Sequence, residues 1–157
     1  LYNWYAVMGI HDAASLSDAS QRKEFAPEGW HVPTDAEWTT LENYLIANGY
    51  NYDQSITENK IAKAMASTTG WINDYTNDGR VGYLQSTTNN GSGFNAFPVG
   101  WRSIGGFAAE GQLANFWSST GIDSASAWRR RLQNTDSSLS KSSNGKPYGF
   151  SVRFVRD

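Results

Sequence analysis

The chain reads as an α+β protein, with helices in its first half and short antiparallel strands in its second. Three observations predict this. A capping box at Thr34–Glu37 opens an amphipathic helix, a second helical pattern runs from Glu58 to Ala66, and strand-like pieces separated by turns follow residue 93. At 157 residues the chain falls in the size range of one domain, spanning 1–157. Its 14 % aromatic content supplies large buried areas from few positions.

In order, Leu1–Val7 is aromatic and β-branched enough to predict a strand. A polar loop follows from His11 to Glu28. Thr34-Asp-Ala-Glu37 then starts the clearest helix, with Trp38, Leu41 and Leu45 on one face and Gly49 at its end. The second helix takes Thr57 as its cap and turns Ile61, Ala64 and Met65 inward. From Asn73 to Gly93 the Asn, Asp, Gly and Thr content predicts a long surface excursion. The predicted strands are Phe94–Arg102, Asn115–Ser119, Ala125–Leu132, Leu139–Lys141 and Tyr148–Val155. Trp30, Trp38, Trp101, Trp117 and Phe150 are expected in the core.

Composition narrows the chemistry. With no Cys, disulfides, thiolate metal sites and thiol catalysis are excluded. No apolar run approaches the ~18 residues of a spanning helix, so membrane insertion is not expected. The abrupt start in strand-like sequence reads as a domain excised from a longer chain. Charge is uneven: residues 1–128 hold 6 basic and 13 acidic side chains, residues 129–157 hold 7 and 2. Arg153 and Arg156 are expected to point outward from a closing strand. Arg129-Arg130-Arg131 is too short for a nucleic-acid patch, because residues in a strand alternate faces.

No catalytic or metal motif stands out, so no cofactor, no metal and no enzymatic activity are expected. His11 and His31 lack companions at ligand spacing, and His31 reads as a hydrogen-bonded structural histidine. Asp35 and Glu37 serve the start of their helix. Asn77-Asp78-Gly79 is turn chemistry rather than a calcium loop.

What remains is a polar ribbon between Trp128 and Tyr148. Trp128, Arg130, Leu132 and Asn134 alternate with Ala127, Arg129, Arg131 and Gln133, and Ser138, Ser140 and Ser142 flank Leu139 and Lys141. Alternation alone fits an ordinary solvated sheet face as well as a contact surface.

Four segments carry a resemblance. They are Ala26-Pro-Glu-Gly-Trp-His-Val-Pro-Thr-Asp-Ala-Glu-Trp38, Gly93-Phe-Asn-Ala-Phe-Pro-Val-Gly-Trp-Arg102, Phe116-Trp-Ser-Ser-Thr120 and Gly149-Phe-Ser-Val-Arg-Phe-Val-Arg-Asp157. Together they resemble the Fibrobacter succinogenes major paralogous domain family. The resemblance implies a C-type-lectin-like fold shared with the formylglycine-generating enzymes: paired N- and C-terminal strands, and two helices flanking small antiparallel sheets. Family members often carry Cys where this chain has Ala26 and Phe154, so an expected disulfide is lost, which suits assembly inside a cell, as in a virion component. The paired cysteines of formylglycine-generating enzymes and the late calcium-ligand segments of lectins are both missing, so neither activity is implied.

The stretch from Phe116 to Arg153 is further similar to the variable regions of proteins diversified by retroelements, in which adenines of Asn codons are randomised. That resemblance implies a ligand-binding set of Asp123, Ser124, Ser126, Trp128, Arg129, Arg131, Gln133, Thr135, Asp136, Ser138, Ser140, Ser142 and Tyr148. Arg130, Leu132, Leu139 and Lys141 would be scaffold between variable positions, with Trp128 both scaffold and anchor. Gln133 departs from the pattern, since adenine changes to an Asn codon do not yield Gln. The expected function is a receptor-binding or adhesin domain on a cell or phage surface, contacting a protein or glycan on a target cell. Fibres of this kind imply a homotrimer assembled through a preceding region. The alternatives are a purely structural surface module and a degenerate enzyme.

Overall fold

The computed structural model describes residues 1–157. It is α+β, with five α-helices, four of them of only four or five residues, and three small antiparallel sheets. Only one helix is long, α3 (Asp35–Ala47), after α1 (Trp4–Val7), α2 (Ala13–Ser17) and the two-residue strand β1 (Trp30–His31). Then come α4 (Ala62–Met65), α5 (Gln85–Thr88), the hairpin β2 (Trp101–Ser103) and β3 (Gly106–Ala108), the three-stranded sheet β4 (Leu113–Gly121), β5 (Ser126–Gln133) and β6 (Ser140–Gly145), and β7 (Val155–Arg156). None of these helices is long and apolar enough to cross a membrane.

Helix α3 forms as its sequence predicts. The Thr34 hydroxyl accepts from the Glu37 amide at 3.2 Å and the Glu37 carboxylate accepts from the Thr34 amide at 2.8 Å. Trp38 and Leu45 are buried, Leu41 packs beside them, and Gly49 takes φ +75° at the C-terminal end.

Elsewhere, side chains that bond the backbone override local patterns. Leu1–Val7 is not a strand. Only Tyr2 pairs, antiparallel with Phe150, because Asn3 accepts from the Ala6 amide and caps α1. The second helix shrinks to Ala62–Met65 and Thr57 does not cap it. The buried Asn51 amide donates to the carbonyls of Ser55, Thr57 and Glu58 and accepts from the Lys60 amide, holding residues 55–60 as a loop. Residues 73–93 run over the surface as expected, with Asn73, Tyr75–Asp78 and Ser86–Thr88 exposed, but the segment is anchored at two points. Val81 is wholly buried, its amide donates to Asp136, and the Asn89 amide donates to the Ser67 and Val81 carbonyls. The turn at Asn77 forms as expected, its side chain accepting from the Gly79 amide. Of Phe94–Arg102 only the last two residues are strand, while Ala96 and Gly100 make single bridges to Ala66 and Ala114. Likewise Tyr148–Val155 makes bridges at Gly149, Phe150 and Ser151 before β7 pairs with β1.

The β4-β5-β6 sheet separates two cores. On one face Ala114, Phe116, Leu132 and Leu139 pack with Trp38 and Leu45 of α3. On the other, Trp117 and Ala127 pack with Trp4, Val7 and Phe150. Trp30, expected in the core, is 45 % exposed on the edge pair with Arg156. Arg153 does not point outward as expected. It lies 4.7 Å over the Phe94 ring and donates to the Phe94 and Asn95 carbonyls. Arg156 is exposed.

Candidate functional site: an open arginine face on the central sheet

Strand alternation decides what the ribbon presents. Arg130 and Leu132 are wholly buried against α3. The Arg130 guanidinium donates to Asp35 Oδ1 at 2.6 Å and to Thr39 Oγ1 at 3.1 Å. Lys141 reaches the same carboxylate at 2.7 Å, so Asp35 does more than open its helix. Burial works to raise the Asp35 pKa, but the bonds from Lys141 and Arg130 outweigh it and hold it below the ordinary carboxylate value. Glu42, 3.9 Å from Arg130, is pushed up by burial.

The opposite face carries Arg129, Arg131 and Gln133. Register places Arg129 beside Trp117 and Ser142, and Arg131 beside Asn115 and Ser140. The end of this face near Trp117 is covered by the core around Phe150, but the end near Asn115 stays open. There a cavity of about 270 Å³ is lined by Trp101, Asn115, Arg129, Arg131, Asn144 and Tyr148 among others. Arg129 donates to Asn144 Oδ1 at 3.1 Å and to Asn115 Oδ1, and stacks over Phe150 at 5.3 Å. Burial, and next the charge of Arg131, push its pKa down to about 10, so it remains charged at neutral pH. Neither arginine belongs to any ion pair of the chain. Arg131 Nε and Ser142 Oγ are enclosed and have no hydrogen-bond partner. Tyr148 packs on Trp101 with centroids 5.6 Å apart, forming an aromatic wall.

The predicted site residues therefore separate into groups. Arg129, Arg131, Gln133, Ser140 and Ser142 share this face, with Tyr148 at its wall. Trp128 lies on the other face, where the Lys141 ammonium sits 4.3 Å over its ring. Asp123, Ser124 and Ser126 belong to the β4–β5 turn. The Asp123 carboxylate accepts from the Ala125 and Ser126 amides, and its carbonyl and that of Ser124 accept from Lys146. Thr135, Asp136 and Ser138 form the β5–β6 turn, Asp136 accepting from the Ser138 amide and hydroxyl. Between Ser138, Ser140 and Ser142, the scaffold residues Leu139 and Lys141 are respectively buried and turned toward α3.

Three contributors were missed. Asn115 lies on the neighbouring strand and Trp101 on the hairpin, while Asn144 sits inside the ribbon but was not singled out. Alternation along Asn115–Trp117 pointed to the first, but only the β4–β5 register places it beside Arg131.

Other features have structural work. His31 Nε2 lies 2.8 Å from Glu37 and Nδ1 2.6 Å from Asp157, which raises its pKa by bonds to Asp157 first and Glu37 second. It joins α3 to the terminal strand, as a structural histidine should. The largest cavity, about 620 Å³, is an apolar groove between α3 and residues 153–155, lined by Trp38, Leu41, Tyr44 and Phe154. Its lining is mostly apolar and its one cation, Arg153, is already engaged on the Phe94 and Asn95 carbonyls, whereas the smaller cavity holds two arginines without an acidic partner.

Comparison with curated proteins and with solved structures finds no match. The profile of the Fibrobacter succinogenes major domain matches residues 1–156, nearly the whole chain. The chain belongs to the Fibrobacter succinogenes major domain family.

Proposed function

We propose that this is a non-enzymatic ligand-binding domain of C-type-lectin-like fold, acting as a receptor-binding or adhesin module on a cell or virion surface. The observation that carries this reading is the alternation of a buried scaffold with an open polar face. Arg130, Leu132 and Leu139 hold the sheet, while Arg129 and Arg131 line an aromatic-walled cavity on the face they share with Gln133, Ser140 and Ser142. Side chains on such a face can be exchanged without rebuilding the core, which suits diversification by a retroelement. Rigid strands also present their side chains with little ordering cost on binding. Recognition is by hydrogen bonding and stacking, with no bond made or broken and no cofactor, and the partner is a protein or glycan on a target surface. Nucleic acid is a poor fit, because the three consecutive arginines divide between the two faces of the sheet.

A steric block tests this. The wild-type chain, Ser140→Tyr and, on the far side of α3, Tyr44→Ser are compared on a printed array of bacterial-surface glycans and on fixed bacterial cells. Circular dichroism confirms that each variant folds. Ser140→Tyr is expected to lose about tenfold or more in binding while Tyr44→Ser matches wild type. Equal binding by Ser140→Tyr, loss only in Tyr44→Ser, or no retention of the wild type anywhere contradicts the reading.

A further inference from the structure

Resting on that reading, we infer that the group this face recognises is an acidic sugar: a single pyranose bearing a carboxylate or a sulfate, seated between the Arg129–Arg131 pair and the Trp101–Tyr148 wall.

Uncompensated charge is the first reason. Arg129 and Arg131 are two residues apart on one face, so about 7 Å separates their backbones. Yet the only polar partners of Arg129 are the neutral oxygens of Asn115 and Asn144. These amides aim the guanidinium without neutralising it. Holding two like charges together in a half-buried cavity is unfavourable in the free protein, and an anion removes that repulsion. Arg131 lines the cavity with its Nε unpartnered and no acidic side chain paired to it, so its guanidinium is left to a ligand oxygen. Arg129 keeps Nη2 free of partners in the chain, and the Arg131 guanidinium makes no side-chain bond, so the two together can meet the paired oxygens of such a group.

Size and wall chemistry give the second reason. A cavity of about 270 Å³ lies just under the roughly 300 Å³ where pockets for drug-sized ligands begin, so it holds one sugar residue rather than an oligomer. The ring faces of Trp101 and Tyr148 offer apolar area to the C–H face of a pyranose. In the same lining the Asn115 and Asn144 amides provide donors for its hydroxyls.

The third reason separates a sugar from an extended peptide. Peptide strands are captured by free backbone groups at a sheet edge. Strand β5 is central, pairing with β4 on one side and β6 on the other, so at Arg129 and Arg131 only side chains are on offer.

The test pairs each acid with its neutral parent. Methyl glucuronide is titrated against methyl glucoside, methyl galacturonide and galactose 6-sulfate against methyl galactoside, and a tetraglutamate peptide serves as the non-sugar acid. Binding is read by NMR shifts of the Trp101 indole and Tyr148 ring at low and physiological salt. At least one acid is expected to bind about tenfold more tightly than its parent. The advantage should shrink as salt rises and vanish in Arg131→Gln. The carboxylate and sulfate arms identify which group is read. Parity of every acid with its neutral parent overturns the inference, as does an advantage that survives Arg131→Gln. Binding of tetraglutamate without any sugar acid also overturns it, in favour of an acidic protein side chain. If Ser140→Tyr still abolishes array binding in those cases, the ligand-binding reading stands and only the ligand class fails.

Discussion

Asp35→Ala is expected to destabilise the fold by about 3 kcal/mol or more, because it strands a buried guanidinium. Arg130 is wholly enclosed and its shortest contact is to Asp35 at 2.6 Å. Glu42 stands 3.9 Å from Nε and offsets only part of the loss. Lys141 is 41 % exposed and can swing into water, so its lost bond contributes little. The measurement is the urea midpoint of the variant against wild type, with an unchanged slope as the check on two-state behaviour. Replacing both partners, as in Asp35→Leu with Arg130→Met, is expected to recover much of the loss, since a packed apolar pair has no charge to desolvate. A cost below about 1 kcal/mol for Asp35→Ala would show that Arg130 is held by something else. The pair matters to recognition as well as stability. Arg130 locks β5 onto α3, and that lock keeps Arg129 and Arg131 facing the cavity.

Gly100→Ala should cost a similar amount for a different reason. Gly100 has φ +68°, and a Cβ there would stand 2.1 Å from the Ala108 carbonyl oxygen and 2.9 Å from backbone atoms of Ala109 and Glu110. These are backbone atoms on the far side of the hairpin and cannot rotate away. The strained dihedral and the forced separation each cost of order 1–3 kcal/mol, together lowering Tm by about 10 °C. Gly29 is the control. It has φ +75° but nothing within 4 Å, so Gly29→Ala should cost only about 1–2 kcal/mol. Equal costs at the two positions would mean that the close approach at Gly100 carries no energy. Gly100 also precedes Trp101, so its displacement should loosen the aromatic wall of the site.

These two positions show what could be read from sequence. Helix α3 was legible because its signals are local: Thr34 and Glu37 are three residues apart and satisfy each other. Asn77 formed its turn for the same reason. The strand alternation correctly put Arg130 and Leu132 on the scaffold side. Elsewhere the deciding partner was out of view. Asn3 converted an aromatic strand pattern into a helix cap, Asn51 dissolved the start of the second helix, and docking on Asp136 buried Val81 within an otherwise surface segment. Arg153 looked free to point outward, but the Phe94 ring that receives it lies 59 residues away.

The candidate site was legible in part. Arg129 and Arg131 share a face because strand residues two apart must do so. Alternation put Trp128 on the side of Arg130 and Leu132, and it lies there under Lys141, away from the arginine pair with which the ligand-binding set grouped it. The two turns were included because Asp and Ser are common in variable segments, but the same residue types bond their own backbone in turns. Phe25 lies between Tyr2 and Phe154 at 5.0 and 5.8 Å, so an aromatic contact joins the segments that carry Ala26 and Phe154.

Sequencing the coding segment from many isolates tests most directly whether a fixed scaffold presents a replaceable recognition face. Substitutions should concentrate at positions 129, 131, 133, 140, 142 and 148, with Arg130, Leu132 and Leu139 unchanged among them. Substitutions spread evenly along the ribbon, or as frequent at 130, 132 and 139 as at the open positions, would contradict it.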